Sequence, residues 1–196
     1  MEDLRYPVGR ANLQVTLDAA QRKDLIRQIS ETPKQLRAAV TGLSKKQLDT
    51  SYRDGGWTIR QVLHHIPDSH LNAYVRFKLA LTENIPTIKL YEETAWALLG
   101  DTKLANPEWS LTLMDVLHKR WVVLLNSMSE NDFSRYLNHP EKGKLNLNQM
   151  LCMYAWHGNH HVAHITSLKE RMGWNKAAAK KRVPRKNSGR KKGKRK

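Results

Sequence analysis

The 196-residue chain has one cysteine, no long apolar run and no acidic residue after Glu170. The single cysteine, Cys152, excludes an intrachain disulfide. No stretch reaches the ~20 consecutive apolar residues that a membrane span requires. The first residues lack the basic and then apolar pattern of a secretory signal. We therefore expect a soluble, cytoplasmic protein.

The net charge of +16 is concentrated at the C-terminus. Residues 175–196 hold twelve of the 34 Lys and Arg residues, so that 22 basic residues remain against 18 acidic ones in the rest of the chain. A block of like charges with Gly, Ser and Pro cannot bury enough apolar surface to fold. We predict a folded domain over residues 1–174 and a disordered basic tail over residues 175–196.

Apolar residues recur at helical spacing in four long segments. The segments cover about residues 18–41, 59–82, 111–128 and 147–172. Ser110 is expected to cap the third segment, and Pro33 to bend or divide the first. Residues 138–143 are expected to form a turn, and no strand pair is indicated. The pattern predicts an all-α four-helix bundle, in which sites are built from side chains on facing helices.

The last segment carries four histidines within eight positions: His157, His160, His161 and His164. Each residue of an α-helix turns by ~100°, so residues four apart lie on the same face. His157 with His161, and His160 with His164, are therefore two pairs, and each pair is the local half of a metal site. Both pairs lie close to the apolar face of the helix. Spacing alone leaves the choice between them open.

The second segment offers a third ligand in His64 or His65, with His70 further along. This many histidines in two core helices favours a metal site over isolated histidines that are held by hydrogen bonds. Neutral imidazoles suit zinc, nickel or ferrous iron rather than magnesium or calcium. Three protein ligands leave positions open at the metal, which is typical of catalytic sites.

Several motifs resemble a known family. Residues Tyr52–Thr58 and Arg60–His65, together with Trp156–Thr166, resemble the DinB-like superfamily, and within it the YfiT-type branch of metal-dependent hydrolases and bacillithiol transferases. Shorter similarities lie at Tyr6-Pro7, Asp68-Ser69-His70, Arg76-Phe77-Lys78 and Arg171–Trp174. The resemblance covers about residues 4–174.

The resemblance implies one divalent transition metal per chain, zinc first and nickel or iron as alternatives, held by His65, His160 and His164. It places three further histidines around the metal, where they would orient the ligands or relay protons: His64, His157 and His161. It also implies a four-helix bundle and a homodimer. Pro67 departs from the family pattern and is expected to kink the second helix near His65.

The implied activity is transfer of a low-molecular-weight thiol, bacillithiol or a similar compound, to an electrophile, or metal-dependent hydrolysis. Cys152 is expected to pack against a neighbouring helix rather than to act as a nucleophile. The basic tail has no counterpart in the family, and its cations would bind nucleic acid without sequence preference. The alternative function is therefore a nucleic-acid-associated helical protein whose metal is structural.

Overall fold

Four long helices make up most of the computed structural model, which describes residues 3–174. The elements are α1 Ala19–Val40, α2 Lys45–Leu48, α3 Ile59–Thr82, α4 Glu93–Trp96, α5 Gly100–Leu104, α6 Pro107–Ser127, α7 Glu130–Phe133, β1 Tyr136–His139, β2 Gly143–Asn146 and α8 Leu147–Arg171. Helices α1 and α3 each pack against both α6 and α8. The predicted four-helix bundle is confirmed. The predicted tail, residues 175–196, lies outside the described residues.

The helices that carry most of the histidines begin at reciprocal capping boxes. The Thr58 hydroxyl accepts a hydrogen bond from the Gln61 backbone N–H at 3.2 Å, and the Gln61 side chain accepts one from the Thr58 N–H at 2.9 Å. Asn146 and Gln149 repeat this arrangement at the start of α8. Each cap contributes about 1 kcal/mol to helix stability. Local sequence therefore fixes where α3 and α8 start, and with it the faces on which their histidines lie.

Helix α6 begins earlier than the sequence predicts. Asn106 is its N-cap and Pro107 is its first residue, so the prediction of Ser110 as the cap is wrong. Proline suits the first helical position because its missing N–H would have no partner there. Helix α1 is not divided at Pro33, and α3 continues through Pro67 to Thr82.

A short antiparallel hairpin joins α7 to α8, where the sequence predicts only a turn. Strand β1 pairs with β2, with Tyr136 opposite Asn146 and His139 opposite Gly143. Leu137 and Leu145 lie opposite each other and are both buried. Each strand has four residues, which is too short for an alternating pattern to stand out from the surrounding sequence. Within residues 3–174, no helix is both long and apolar enough to cross a membrane.

The interior consists of two apolar cores with a polar layer between them. One core surrounds Phe77, Trp121 and Met150, and the other surrounds Leu63 and Ile165. Between these cores the facing positions are occupied largely by histidines: His64, His65, His70, His118, His157, His160, His161 and His164. The candidate site thus lies at mid-height in the bundle, where all four long helices meet.

Gly158 lets α1 and α8 approach closely beside this layer. A Cβ atom on Gly158 would lie 2.7 Å from Oγ1 and 2.8 Å from Cγ2 of Thr32. Both contacts are far shorter than van der Waals distance, and both residues are buried. A side chain at position 158 would therefore force the two helices apart.

We predict that Gly158→Ala destabilises the protein. Overpacking of this kind costs about 1–3 kcal/mol, which outweighs the gain of about 1 kcal/mol from the higher helix propensity of alanine. In a Thr32→Ala background the conflicting atoms are gone, and Gly158→Ala should then be neutral or stabilising. Urea unfolding of the four proteins measures the difference. An equal loss of stability in both backgrounds would contradict the steric explanation.

Candidate metal site

Five histidines line a cavity of about 810 Å³ between α3 and α8: His65, His157, His160, His161 and His164. Aromatic rings pack against several of them. Tyr52 stacks on His164 at 3.9 Å between ring centroids, Trp57 meets the edge of His65 at 4.7 Å, and Trp156 stacks on His160 at 4.3 Å. These contacts restrict the orientations that the imidazole rings can adopt.

One group of three histidines joins the two helices. Each of His65, His157 and His161 has a ring nitrogen within 4.8 Å of the others. The Nε2 atoms of His65 and His157 are 3.2 Å apart. Two nitrogens bound tetrahedrally to one zinc ion, each at ~2.0–2.1 Å, would be separated by ~3.4 Å. The residues of this group therefore fit a shared transition-metal ion.

A second group, His160, His161 and His164, comes from α8 alone and shares His161 with the first. The Nε2 atom of His164 is 3.2 Å from the carbonyl oxygen of Arg5. Because a carbonyl only accepts, Nε2 carries the proton of neutral His164, and its Nδ1 is an acceptor. The Nδ1 of His161, 3.4 Å away, then donates to it. This leaves Nε2 of neutral His161 without a proton.

The structure divides the predicted ligand set between the two groups. His65 belongs to the first group, whereas His160 and His164 belong to the second. Within residues 3–174, no such group joins His65 to both of them. The set His65, His160 and His164 therefore stays a prediction.

His64 lies apart from both groups. It is buried, and its Nδ1 is 2.7 Å from the Ser110 hydroxyl on α6. His64 does not line the histidine cavity. The family resemblance implies a position near the metal for His64, whereas in the structure its side chain hydrogen-bonds to another helix.

His118 is a participant that the sequence analysis missed. Its Nε2 lies 2.8 Å from Nδ1 of His70, whose own Nε2 lies 3.0 Å from Nδ1 of His157. The sequence signal was a histidine between Met114 and Trp121 on the buried face of α6. A polar residue on a buried face needs a hydrogen-bond partner, and His118 has two: His70 and the backbone carbonyl of Ile29.

Burial keeps the imidazoles of the layer neutral. It lowers the pKa of His65, His160 and His164 to about 4. Burial, and then neighbouring histidines, also lower the pKa values of His157 and His161 well below their usual range. The neutral imidazole is the form that binds a metal ion, so no proton has to leave these rings at pH 7.

Cys152, the one cysteine of the chain, lies outside the histidine cavity. It lines a separate groove with Leu25 and Gln28 of α1. Burial raises the pKa of its thiol, which disfavours the reactive thiolate. The prediction that Cys152 packs against a neighbouring helix agrees with its position beside α1.

Fold and site together define a four-helix bundle protein with a histidine-lined cavity between its helices. The sequence-family model that describes the DinB superfamily matches residues 28–165 of this chain. The chain therefore belongs to this superfamily. The resemblance inferred from the motifs is thus confirmed.

The relatives share a common description. A protein of Bacillus mycoides (strain KBAB4) named "putative metal-dependent hydrolase" is 51% identical over 174 residues, which cover 89% of this chain and 100% of that protein. A protein of Bacillus cereus (strain B4264) with the same description matches with the same identity and coverage. Among solved structures, YfiT from Bacillus subtilis is described as "a probable metal-dependent hydrolase with an unusual four-helix bundle topology". It has a TM-score of 0.85 and 46% sequence identity, covering 87% of this chain and 98% of its own.

We predict that acidification destabilises the metal-free fold between pH 6.5 and pH 4. Burial lowers the pKa of His65 and His118 to about 4, whereas both groups have a pKa of about 6.5 in the unfolded chain. Below pH 6.5 the unfolded chain therefore binds protons that the folded chain does not, so stability falls with pH. Each of these histidines should remove about 2 kcal/mol from the free energy of unfolding between pH 7 and pH 5.

Urea unfolding followed by tryptophan fluorescence, with a chelator present, measures this loss at a series of pH values. The range from pH 7.5 to pH 8.5 is the control, because groups with a pKa of about 6.5 or lower are almost entirely neutral there in both states. An unfolding free energy that stays constant from pH 7 to pH 5 would contradict the neutral, buried layer.

Proposed function

We propose that the chain is a metal-dependent enzyme that holds one divalent transition metal with His65 and two histidines of α8. The observation that carries this proposal is the group of three neutral imidazoles from two helices, with nitrogens at metal-ligand spacing. The names of the relatives support metal dependence and hydrolysis. Zinc is our first choice of metal, and nickel and iron are the alternatives.

For the two ligands on α8 we favour His157 and His161. Both share a group with His65, and the hydrogen-bond partners of His161 leave its Nε2 free of a proton. His164 is a weaker candidate, because its Nε2 donates to a carbonyl and its Nδ1 accepts from His161. In this arrangement His164 orients a ligand by holding the other ring nitrogen. The pair His160 and His164, which the family resemblance implies, is the rival assignment.

For the reaction we propose transfer of a low-molecular-weight thiol to an electrophile, with hydrolysis as the second candidate. When bound, the metal would supply the Lewis acidity that lowers the pKa of a thiol or a water molecule. Because Cys152 faces a different groove, the sulfur nucleophile would come from a small molecule. The histidine cavity, at about 810 Å³, has room for two small reactants.

The ligand assignment predicts different effects for neighbouring substitutions. Zinc binding is measured in the untagged, metal-depleted protein. We expect it to weaken by more than about 100-fold in each of His65→Ala, His157→Ala and His161→Ala, because each substitution removes a ligand. Loss of a residue that only hydrogen-bonds to a ligand usually weakens binding by about 10–100-fold. His160→Ala is the matched control and should bind within a few-fold of the unchanged protein. Competition with a fluorescent chelator measures the affinities. Loss of binding in His160→Ala and His164→Ala, with His157→Ala unaffected, would establish the rival pair.

The reaction is tested with a thiol-conjugation assay on a reactive fluorescent electrophile. We expect turnover with bacillithiol, glutathione or cysteine that disappears with chelator, returns with added metal and is absent in His65→Ala. An activated ester serves as the parallel hydrolysis substrate. Ester cleavage without thiol transfer would favour hydrolysis as the reaction. The absence of both activities in a fully metal-loaded protein would contradict the proposal that the protein is an enzyme.

A homodimer is also proposed, on the basis of exposed apolar side chains along one face of α6. Trp109, Val116 and Val123 are 68%, 54% and 70% exposed. Their spacing places them on one face of the helix, and such patches commonly mark interfaces between copies of a chain. Sedimentation equilibrium at micromolar concentration tests this, and a monomer would contradict it. The alternative role in nucleic-acid binding concerns residues 175–196 and stays a prediction.

A further inference from the structure

A continuous chain of hydrogen bonds crosses all four long helices and ends at the candidate metal site. It starts at the carbonyl oxygen of Ile29 on α1, which lies 2.6 Å from Nδ1 of His118 on α6. His118 Nε2 is 2.8 Å from Nδ1 of His70 on α3. His70 Nε2 is 3.0 Å from Nδ1 of His157 on α8. The last atom, Nε2 of His157, faces Nε2 of His65 at 3.2 Å.

The middle of this chain is sealed from solvent. His70 is 0% and His118 is 1% exposed, and the rings of Trp121 and Tyr154 meet His70 edge-on. Within residues 3–174, neither histidine hydrogen-bonds to a carboxylate. A buried imidazolium without such a partner would be strongly unfavourable, so both rings are neutral and each carries one proton.

The carbonyl at the start fixes the position of every proton along the chain. Since the Ile29 oxygen can only accept, His118 carries its proton on Nδ1, and its Nε2 accepts. His70 must then donate from Nδ1 and accept at Nε2. His157 must in turn donate from Nδ1, which leaves its Nε2 without a proton. This nitrogen can only accept, and it lies 3.2 Å from Nε2 of His65 and 3.5 Å from the Ser69 hydroxyl.

We propose that His70 and His118 are positioning residues that lock His157 in the Nδ1–H tautomer and aim its Nε2 lone pair at the metal site. The proposal rests on the proposed function, since it takes His157 as a ligand. When one nitrogen of an imidazole ring donates its N–H to an acceptor, the other nitrogen of the same ring becomes a stronger and better-oriented metal ligand. The chain orients and does not relay, because a backbone carbonyl cannot take up the proton that a relay would deliver.

The tautomer is measured directly in metal-free protein labelled with ¹⁵N-histidine. Long-range ¹H–¹⁵N correlation spectra distinguish the two neutral tautomers, and His157→Gln identifies the signals by their disappearance. We expect a single Nδ1–H tautomer for His157. A proton on Nε2 of His157, or a mixture of tautomers, would overturn the proposal, and this measurement needs no bound metal. A protein that binds no zinc would therefore refute the proposed function while leaving this inference testable.

Two substitutions of His70 separate orientation from packing. His70→Phe keeps the ring volume but removes the acceptor, and it should weaken zinc binding by about 10–100-fold and release the tautomer of His157. In His70→Gln the side-chain oxygen can replace Nε2 as the acceptor, so binding should stay within a few-fold. His139→Phe, at another buried histidine on the hairpin, is the matched control for loss of a buried imidazole.

Thermal unfolding checks that each variant is folded before affinities are compared. Equal zinc affinity in folded His70→Phe and in the unchanged protein would overturn the positioning role. Equal weakening in His70→Phe and His70→Gln would overturn the role of the acceptor. Should His70→Phe not fold, His118→Phe, which breaks the chain one ring earlier, takes its place with the same expectations for the tautomer.

Discussion

The structure depends on keeping a layer of imidazoles neutral and hydrogen-bonded between two apolar cores. Isolated polar groups in such a place would oppose folding by several kcal/mol. Here much of this penalty is removed because the rings bond to one another and to backbone carbonyls such as those of Ile29 and Arg5. The same bonds leave lone pairs directed into one cavity. The same hydrogen bonds therefore lower the cost of burying the imidazoles and leave unprotonated ring nitrogens that a metal ion can bind.

This arrangement gives the histidines distinct roles according to what holds their second nitrogen. His157 and His161 each have Nδ1 engaged by another histidine, so their Nε2 atoms are available to a metal ion. His70, His118 and His164 have both ring nitrogens engaged in hydrogen bonds. Sequence spacing treats these residues alike, whereas the hydrogen-bond partners distinguish them.

The sequence predicts those features of the fold that depend on residues close together in the chain, and it misses those that depend on distant contacts. Helix α3 was located correctly because Thr58 and Gln61 cap it within four residues. The start of α6 was misplaced because Ser110 also resembles a cap, and the prediction passed over Asn106 with Pro107 at the first helical position. The hairpin depends on cross-strand pairing of two four-residue segments, which no local pattern reveals.

The ligand pair could not be derived from sequence for a related reason. His157 and His160 differ by only ~60° around the helix, so both pairs face the interior. Our proposal of one pair rests on contacts with His70 and Arg5, which lie far away along the chain. His118 was overlooked because a single histidine in an apolar helix carries no spacing signal. The motifs identify the family, whereas the roles that we propose for the histidines rest on tertiary contacts.

The close approach of α1 and α8 at Gly158 restricts which residues positions 32 and 158 can hold. Gly158 lies between His157 and His161 on α8, and a Cβ atom there would collide with Thr32 of α1. The absence of a side chain at position 158 therefore affects both the spacing of the two helices and the position of the imidazoles. Positions 32 and 158 should therefore vary together among homologues, bulk at one being matched by its absence at the other. A larger side chain at either position alone would force α1 and α8 apart and move the imidazoles of His157 and His161.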